Sequence, residues 1–148
     1  MNLIFVRIFY SQENLDILKS IPWMDMIPNS ELLAIASSFE DAVFNRGDVL
    51  VRQNERSDNV FVLARGTVTV NYINEYEDEV QIDELGMGSV FGEISWALDV
   101  KRGATIKATS PGLLFTIEGS KLREIARSNR KLESNLWEVC GRRLSENI

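Results

Sequence analysis

Residues 44–70 read FNRGDVLVRQNERSDNVFVLARGTVTV. Short runs of Val, Leu and Phe are broken by Gly47-Asp48, by a polar stretch from Gln53 to Asn59, and by Gly66. Apolar runs this short, bounded by turn residues, predict strands. The same texture extends outward from Ala42 to Ile117, through NVFVLARGTVTVNYI, EVQIDELGMG, ATIKATS and LLFTIEG, with further turns at Gly86, Gly88 and Pro111-Gly112. In TVTVNYI the period of two puts Val68, Val70 and Tyr72 on one face and Thr67, Thr69 and Asn71 on the other. An antiparallel β-roll or jelly roll over about residues 42–118 is the fold these strands predict.

Helices are expected on both sides of it. QENLDILKS, residues 12–20, has helical spacing at Leu15, Ile17 and Leu18, and Ile21-Pro22 ends the pattern. After Ile27-Pro28, Asn29 or Ser30 can cap a second helix with Leu32, Leu33, Ile35 and Ala36 inward. Past the roll, Ser120 to Glu124 reads as a helix start, and Leu132, Leu136, Val139 and Leu144 mark a second helix. The class is therefore α+β: a cupin-like roll flanked by N-terminal helices and two C-terminal helices, the latter over about 120–146. The expected organisation is a helical linker over 1–29 and one domain over 30–148. The opening MNLIFVRIFY is shorter than the roughly 20 residues that span a bilayer and lacks a small-residue cleavage site. It reads as a linker helix from a larger protein.

Composition narrows the function. A net charge of −6 over 148 residues argues against a nucleic-acid binder that works through a broadly basic surface. The charge is uneven: Glu75, Glu77, Asp78, Glu79, Asp83 and Glu84 crowd one segment, and Lys121, Arg123, Arg127, Arg130, Lys131, Arg142 and Arg143 gather near the C-terminus. Such runs are ordinarily solvated faces, although the basic end suits an acidic partner. A single cysteine, Cys140, rules out an intrachain disulfide and fits a reducing compartment. The chain has no histidine, which removes the usual zinc and non-haem iron sites, Ser-His-Asp and Cys-His catalysis, and the commonest general base. No metal site and no enzymatic activity are expected.

Residues 91–105, FGEISWALDVKRGAT, carry the chemistry. Gly92 lets a ligand or another backbone segment approach closely. If Glu93 to Leu98 form one helical turn, its free N–H groups favour an anion. Arg102, returned by a turn at Asp99, Val100 and Lys101, can fork onto that anion. Glu93 would repel it, so the carboxylate implies a hydroxyl donor on the same ligand. Phosphate and hydroxyl together, beside an apolar wall, describe a nucleotide sugar. A Glu93–Arg102 salt bridge that merely pins a loop is the alternative.

This segment resembles the phosphate-binding cassette of the cyclic nucleotide-binding domain family, in Phe91-Gly92-Glu93 and again in Arg102-Gly103-Ala104-Thr105. Residues 44–70 are similar to the family's first strands, and the likeness covers roughly residues 30–145. It implies that Arg102 holds the cyclic phosphate and Glu93 the ribose 2′-hydroxyl. Phe91, Gly92, Ile94 and Ser95 complete the cassette, and backbone N–H groups around Ser95 and Ala104 reach the remaining oxygens. Val70 and Leu85 occupy positions that flank the base or ribose. The last helix acts in the family as a lid, and ungapped alignment places Arg143 where the channel branch contacts the purine; Leu136 and Trp137 are further candidates on that helix. Trp96 departs from the family's usual Leu, and Asn54 from a frequent Gly. At Gly103 many cGMP binders carry threonine, so the resemblance favours cAMP, with cGMP the second candidate.

Three readings follow from these residues. The first is a sensor whose cyclic nucleotide controls a larger protein. The second is a ligand-free interaction or dimerisation module, compatible with a homodimer, against which the intact Glu93 and Arg102 argue. The third, an enzyme of cupin type, is opposed by the absence of histidine. The parent that the opening segment and the C-terminal stretch NLWEVCGRRLSENI resemble is an ion transporter: a sodium/proton exchanger of the sperm type, or a cyclic nucleotide-gated or hyperpolarisation-activated channel. A cytoplasmic domain of a membrane protein is the expectation. Nothing resembling a helix-turn-helix follows the roll, which speaks against a self-contained transcription factor and against a nucleic-acid partner.

Overall fold

In the computed structural model, residues 4–6, 12–21, 24 and 27–145 are described. The longest apolar run of the quoted stretch, Val60–Arg65 (β4), is buried at five consecutive positions. Both of its faces are covered. Val60, Val62 and Ala64 join a cluster under the helices, while Phe61 and Leu63 point into the roll. A strand buried on both sides reads as a continuous run rather than an alternation.

β4 lies in a five-stranded sheet ordered Ile4–Val6 (β1), Glu40–Phe44 (β2), Gly112–Ile117 (β9), β4 and Val90–Phe91 (β7). The second sheet runs Val49–Val51 (β3), Thr105–Ala108 (β8), Val68–Ile73 (β5) and Glu79–Leu85 (β6). Every pairing is antiparallel. The expected roll is present, at 40–117 in place of 42–118. On β5, Val68 and Val70 face inward as the alternation requires. A bulge then shifts the register against β6 after Val70, and Tyr72 keeps the Val70 face but is 46% exposed.

The helices pack on the outer face of the five-stranded sheet. Gln12–Lys19 (α1) and Asn29–Ala36 (α2) precede the roll; Gly119–Ser128 (α4) and Arg130–Ser145 (α5) follow it. Leu18, Ile21, Met24, Leu32, Leu122, Leu132 and Leu136 form one core with Phe115 and Ile117 of β9. The expectation of a helical linker over 1–29 is therefore corrected twice. Ile4–Val6 is a strand, paired Ile4 to Val43 and Val6 to Asp41, because a short Ile-Phe-Val run suits a sheet edge better than an isolated helix. Ile17, Leu18, Ile21 and Met24 belong to the core of the domain, so this part of the segment is not a tether. Pro22, expected to end α1, lies outside the described residues. Three details of the helices also differ. Pro28 holds the cap position of α2 and Glu118 that of α4, neither making a side-chain cap hydrogen bond, so Asn29, Ser30 and Ser120 do not cap. Leu33 is exposed, since Leu32, Ile35 and Ala36 already fill the inward face.

Among the described residues, two buried polar side chains of this sheet lack hydrogen-bond partners, the Thr116 hydroxyl and the Asp41 carboxylate, and the charged one matters more. Asp41 is buried, and neither carboxylate oxygen has a hydrogen-bond partner. Burial pushes its pKa up to about 6. A carboxyl whose folded pKa is raised contributes stability that is fully present below the ordinary value of 3.8 and is lost as pH rises through about 6. Asp41→Asn is therefore expected to flatten the pH dependence of the melting temperature between pH 4 and 6. The variant gains on the wild type as pH rises, and parallel melting curves for the two proteins across this range would refute the assignment.

Candidate functional site

The site is assembled on a six-residue helix, Glu93–Leu98 (α3), that follows β7. Gly92 stands at its N-cap with φ +88° and supplies no side-chain acceptor to the first N–H groups. A Cβ at Gly92 would sit 2.6 Å from the Asn59 carbonyl oxygen and 2.7 Å from Nη1 of Arg102. The helix ends where Asp99 turns left-handed at φ +52°. The chain then returns through Val100 and Lys101 and places Arg102 against the start of the helix.

Arg102 and Glu93 are each 4% exposed. The Arg102 guanidinium donates from Nη1 to the Gly92 carbonyl at 3.1 Å, and from Nη2 to the Asn59 carbonyl at 2.8 Å and Ser57 Oγ at 3.2 Å. It also lies 5.7 Å from the Phe61 ring centroid. Burial lowers the pKa of the guanidinium, and the charges of Asp58, Glu93 and Glu55 oppose that shift. The backbone around it is fixed as well. Asn54 N–H donates to the Arg102 carbonyl at 2.8 Å, and Arg102 N–H to the Glu55 carbonyl at 2.9 Å. Asn54, at φ +70°, occupies the left-handed turn that its place in the sequence suggested, a conformation asparagine tolerates.

A cavity of about 450 Å3 opens beside this pair. It is lined by Val70, Leu85, Phe91, Gly92, Glu93, Ile94, Ser95, Arg102, Gly103 and Ala104, so ten of the residues singled out from sequence meet at one place. Arg143 lies on α5, but its side chain is outside the described residues. Val51, Tyr72, Ile82, Val100, Lys101 and Ile106 also line the cavity and were not anticipated. For one of these a signal existed: the alternation that placed Val70 inward also places Tyr72 there. Val51 and Ile106 come together only through the pairing of β3 with β8. The resulting arrangement has a buried cation and a buried acid at one end and an aliphatic wall at the other. No group of His, Cys, Asp and Glu among the described residues could hold a metal ion.

The helix carrying Glu93 is tied to the C-terminal helices. Trp96, buried in place of the resemblance's Leu, donates from Nε1 to the Gly119 carbonyl at 2.9 Å and lies 6.4 Å from the Trp137 ring. Arg123 donates to the Trp96 carbonyl at 2.7 Å, and its Nη1 lies 3.5 Å from Asp58 Oδ2. Cys140 is buried with Sγ 3.8 Å from the Glu93 carbonyl, and burial, reinforced by the Glu93 charge, pushes the thiol up to about 11. Leu136 is wholly inside and Trp137 is half exposed.

Comparison with known proteins gives a consistent picture. Residues 42–129 match the family described as the cyclic nucleotide-binding domain. The chain is 28% identical over 94 residues to the cAMP-dependent protein kinase type II regulatory subunit of Drosophila melanogaster, covering 64% of this chain and 25% of that one. It is 31% identical over 108 residues to the cGMP-dependent protein kinase of Plasmodium berghei, covering 72% of this chain and 12% of that one. It thus spans a quarter or less of these relatives' lengths. In fold it is similar to the catabolite activator protein of Thermus thermophilus, with a TM-score of 0.79 at 22% identity, over 85% of this chain and 59% of that one.

Proposed function

Because the chain belongs to the cyclic nucleotide-binding domain family, we propose that its cavity takes a cyclic nucleotide, cAMP ahead of cGMP, and that occupancy regulates a larger protein of which this domain is one part. The observation that carries the reading is the burial of Arg102 and Glu93 together at one end of a mostly apolar cavity. A salt bridge serving only to pin a loop needs no such space beside it. The Arg102 bonds to Gly92, Asn59 and Ser57 take three of the guanidinium's five N–H donors, and the ligand's phosphate draws on the rest. Glu93 accepts from the ribose 2′-hydroxyl. The purine lies along the wall made by Val70, Leu85 and Ile106.

The preference for cAMP rests on position 103, since the relatives' names point to both nucleotides. A side chain would meet nothing within 4 Å of a Cβ at Gly103, so a hydroxyl could be accommodated there and is not supplied. A neutral hydrogen bond is worth about 1 kcal/mol. Gly103→Thr is accordingly expected to shift the ratio of cAMP to cGMP affinity toward cGMP by about fivefold, as read by calorimetric titration.

The same titration tests the whole reading. Saturable one-to-one binding of cAMP by the wild-type chain, tighter than that of cGMP, is the expected result. Heat-free titrations with both nucleotides, and an unmoved melting temperature at millimolar concentration, would leave a ligand-free interaction module instead. A ligand at 100 times its Kd stabilises by about 2.7 kcal/mol, which a melting curve detects. For the parent, the resemblance of NLWEVCGRRLSENI supports a membrane ion transporter, with this domain on its cytoplasmic side. No helix among the described residues is long and apolar enough to cross a membrane itself.

A further inference from the structure

Three large apolar residues of the cavity, Tyr72, Ile82 and Val100, are 46%, 49% and 45% exposed. They form an apolar rim at the mouth, and Tyr72 is its one aromatic ring. Tyr72 follows Val70 by two residues on β5, so its side chain continues the wall along which the base was placed.

An exposed strand end is ordinarily a loose support, but this one is fastened. The Gln53 side chain donates from Nε2 to the Ile73 carbonyl at 2.9 Å, and its Oε1 accepts from the Ile73 N–H at 2.7 Å. That pair of bonds imitates a strand neighbour next to Tyr72. Gln53 is held in turn, its own N–H donating to Thr105 Oγ1 at 3.0 Å. The next residue, Asn54, bonds the Arg102 carbonyl. One short segment therefore sets both the backbone of the phosphate-binding arginine and the backbone carrying the aromatic rim residue.

We propose that Tyr72 is a specificity-determining residue of the site: its ring is the platform on which the nucleobase stacks, and Gln53 is the positioning residue that holds the platform at a fixed distance from Arg102. The inference rests on the cyclic nucleotide reading and deepens it. Stacking on an aromatic ring needs only a π-face, so it favours larger bases and is indifferent to which hydrogen-bonding groups they carry. Tyr72 thus selects purines over pyrimidines and leaves the choice between adenine and guanine to position 103.

The test is titration of the full chain with cAMP and with the pyrimidine nucleotide cCMP. Tyr72→Ala is expected to weaken cAMP binding by about 5- to 100-fold, and cCMP by distinctly less, so that the purine preference shrinks. Tyr72→Phe, which keeps the ring, restores the preference, and Gln53→Ala reduces it in the same direction by a smaller factor. Unchanged cAMP affinity in Tyr72→Ala, or an equal loss for both nucleotides, would overturn the assignment while leaving the ligand reading intact. A wild-type chain that binds neither nucleotide overturns both, and does so before any variant is made.

Discussion

Replacing Arg102 with alanine is expected to weaken cAMP binding by roughly 10- to 150-fold for each charge-assisted hydrogen bond lost to the phosphate. The guanidinium is 4% exposed and lines the cavity, so water replaces it poorly, and the other cation among the described lining residues, Lys101, is exposed. A second consequence separates this substitution from a surface change. Arg102 donates to the carbonyls of Gly92 and Asn59 and to the hydroxyl of Ser57, and alanine removes all three bonds. Since the Gly92 carbonyl keeps the Trp96 N–H at 3.3 Å and Ser57 is exposed, the loss falls on the Asn59 carbonyl. An unpaired buried acceptor costs about 1–3 kcal/mol, so the empty protein should melt lower as well. Arg102→Lys keeps the charge but not the planar fork, and its affinity falls between the two. The measurements are titration with cAMP and thermal melting with and without it. Superimposable titrations for wild type and Arg102→Ala would remove the phosphate assignment whatever the melting curves show.

The roll was legible because its strands are short, rich in β-branched residues and separated by turns, features fixed by local chemistry. The cassette was legible for a different reason: Gly92, Glu93, Arg102 and Gly103 are close in sequence, and a single turn of helix followed by a left-handed Asp99 brings them together. What escaped was everything that depends on distant pairing. Ser57 and Asn59 look like ordinary loop residues until the loop meets Arg102 from 45 and 43 positions away. Gln53 shows its role only when β3 and β5 have been laid on either side of β8. Tyr72 was placed on the Val70 face by its alternation, yet nothing local said that this face passes from core to cavity at that residue. The first strand was missed because three apolar residues carry no period, and only the free edge of β2 gives them a place. The caps failed for a similar reason. Asn29, Ser30 and Ser120 are good cap residues, but Pro28 and Glu118 already hold the extended conformation that precedes each helix.

Gly92→Ala is expected to be the most destabilising single methyl in the site. Its φ of +88° is outside the region L-residues occupy comfortably, which costs about 1–2 kcal/mol. The new Cβ would also lie 2.6 Å from the Asn59 carbonyl, 2.7 Å from Arg102 Nη1 and 3.3 Å from the Phe61 ring. Overpacking of this kind adds about 1–3 kcal/mol. For a chain of 148 residues the sum corresponds to a melting temperature lower by about 5–20 °C. Gly86→Ala is the control, since a Cβ there meets nothing within 4 Å. Nucleotide affinity should fall with stability at Gly92 and not at Gly86, because the two atoms most crowded at Gly92 belong to the guanidinium proposed to hold the phosphate and to the carbonyl that anchors it. The double variant with Arg102→Ala tells strain from simple loss of fold. Removing the guanidinium also removes one of the two closest contacts, so the two substitutions together should destabilise by less than their sum. Strict additivity would mean that the Cβ is accommodated without touching Arg102, and that Gly92 is required for its backbone conformation alone.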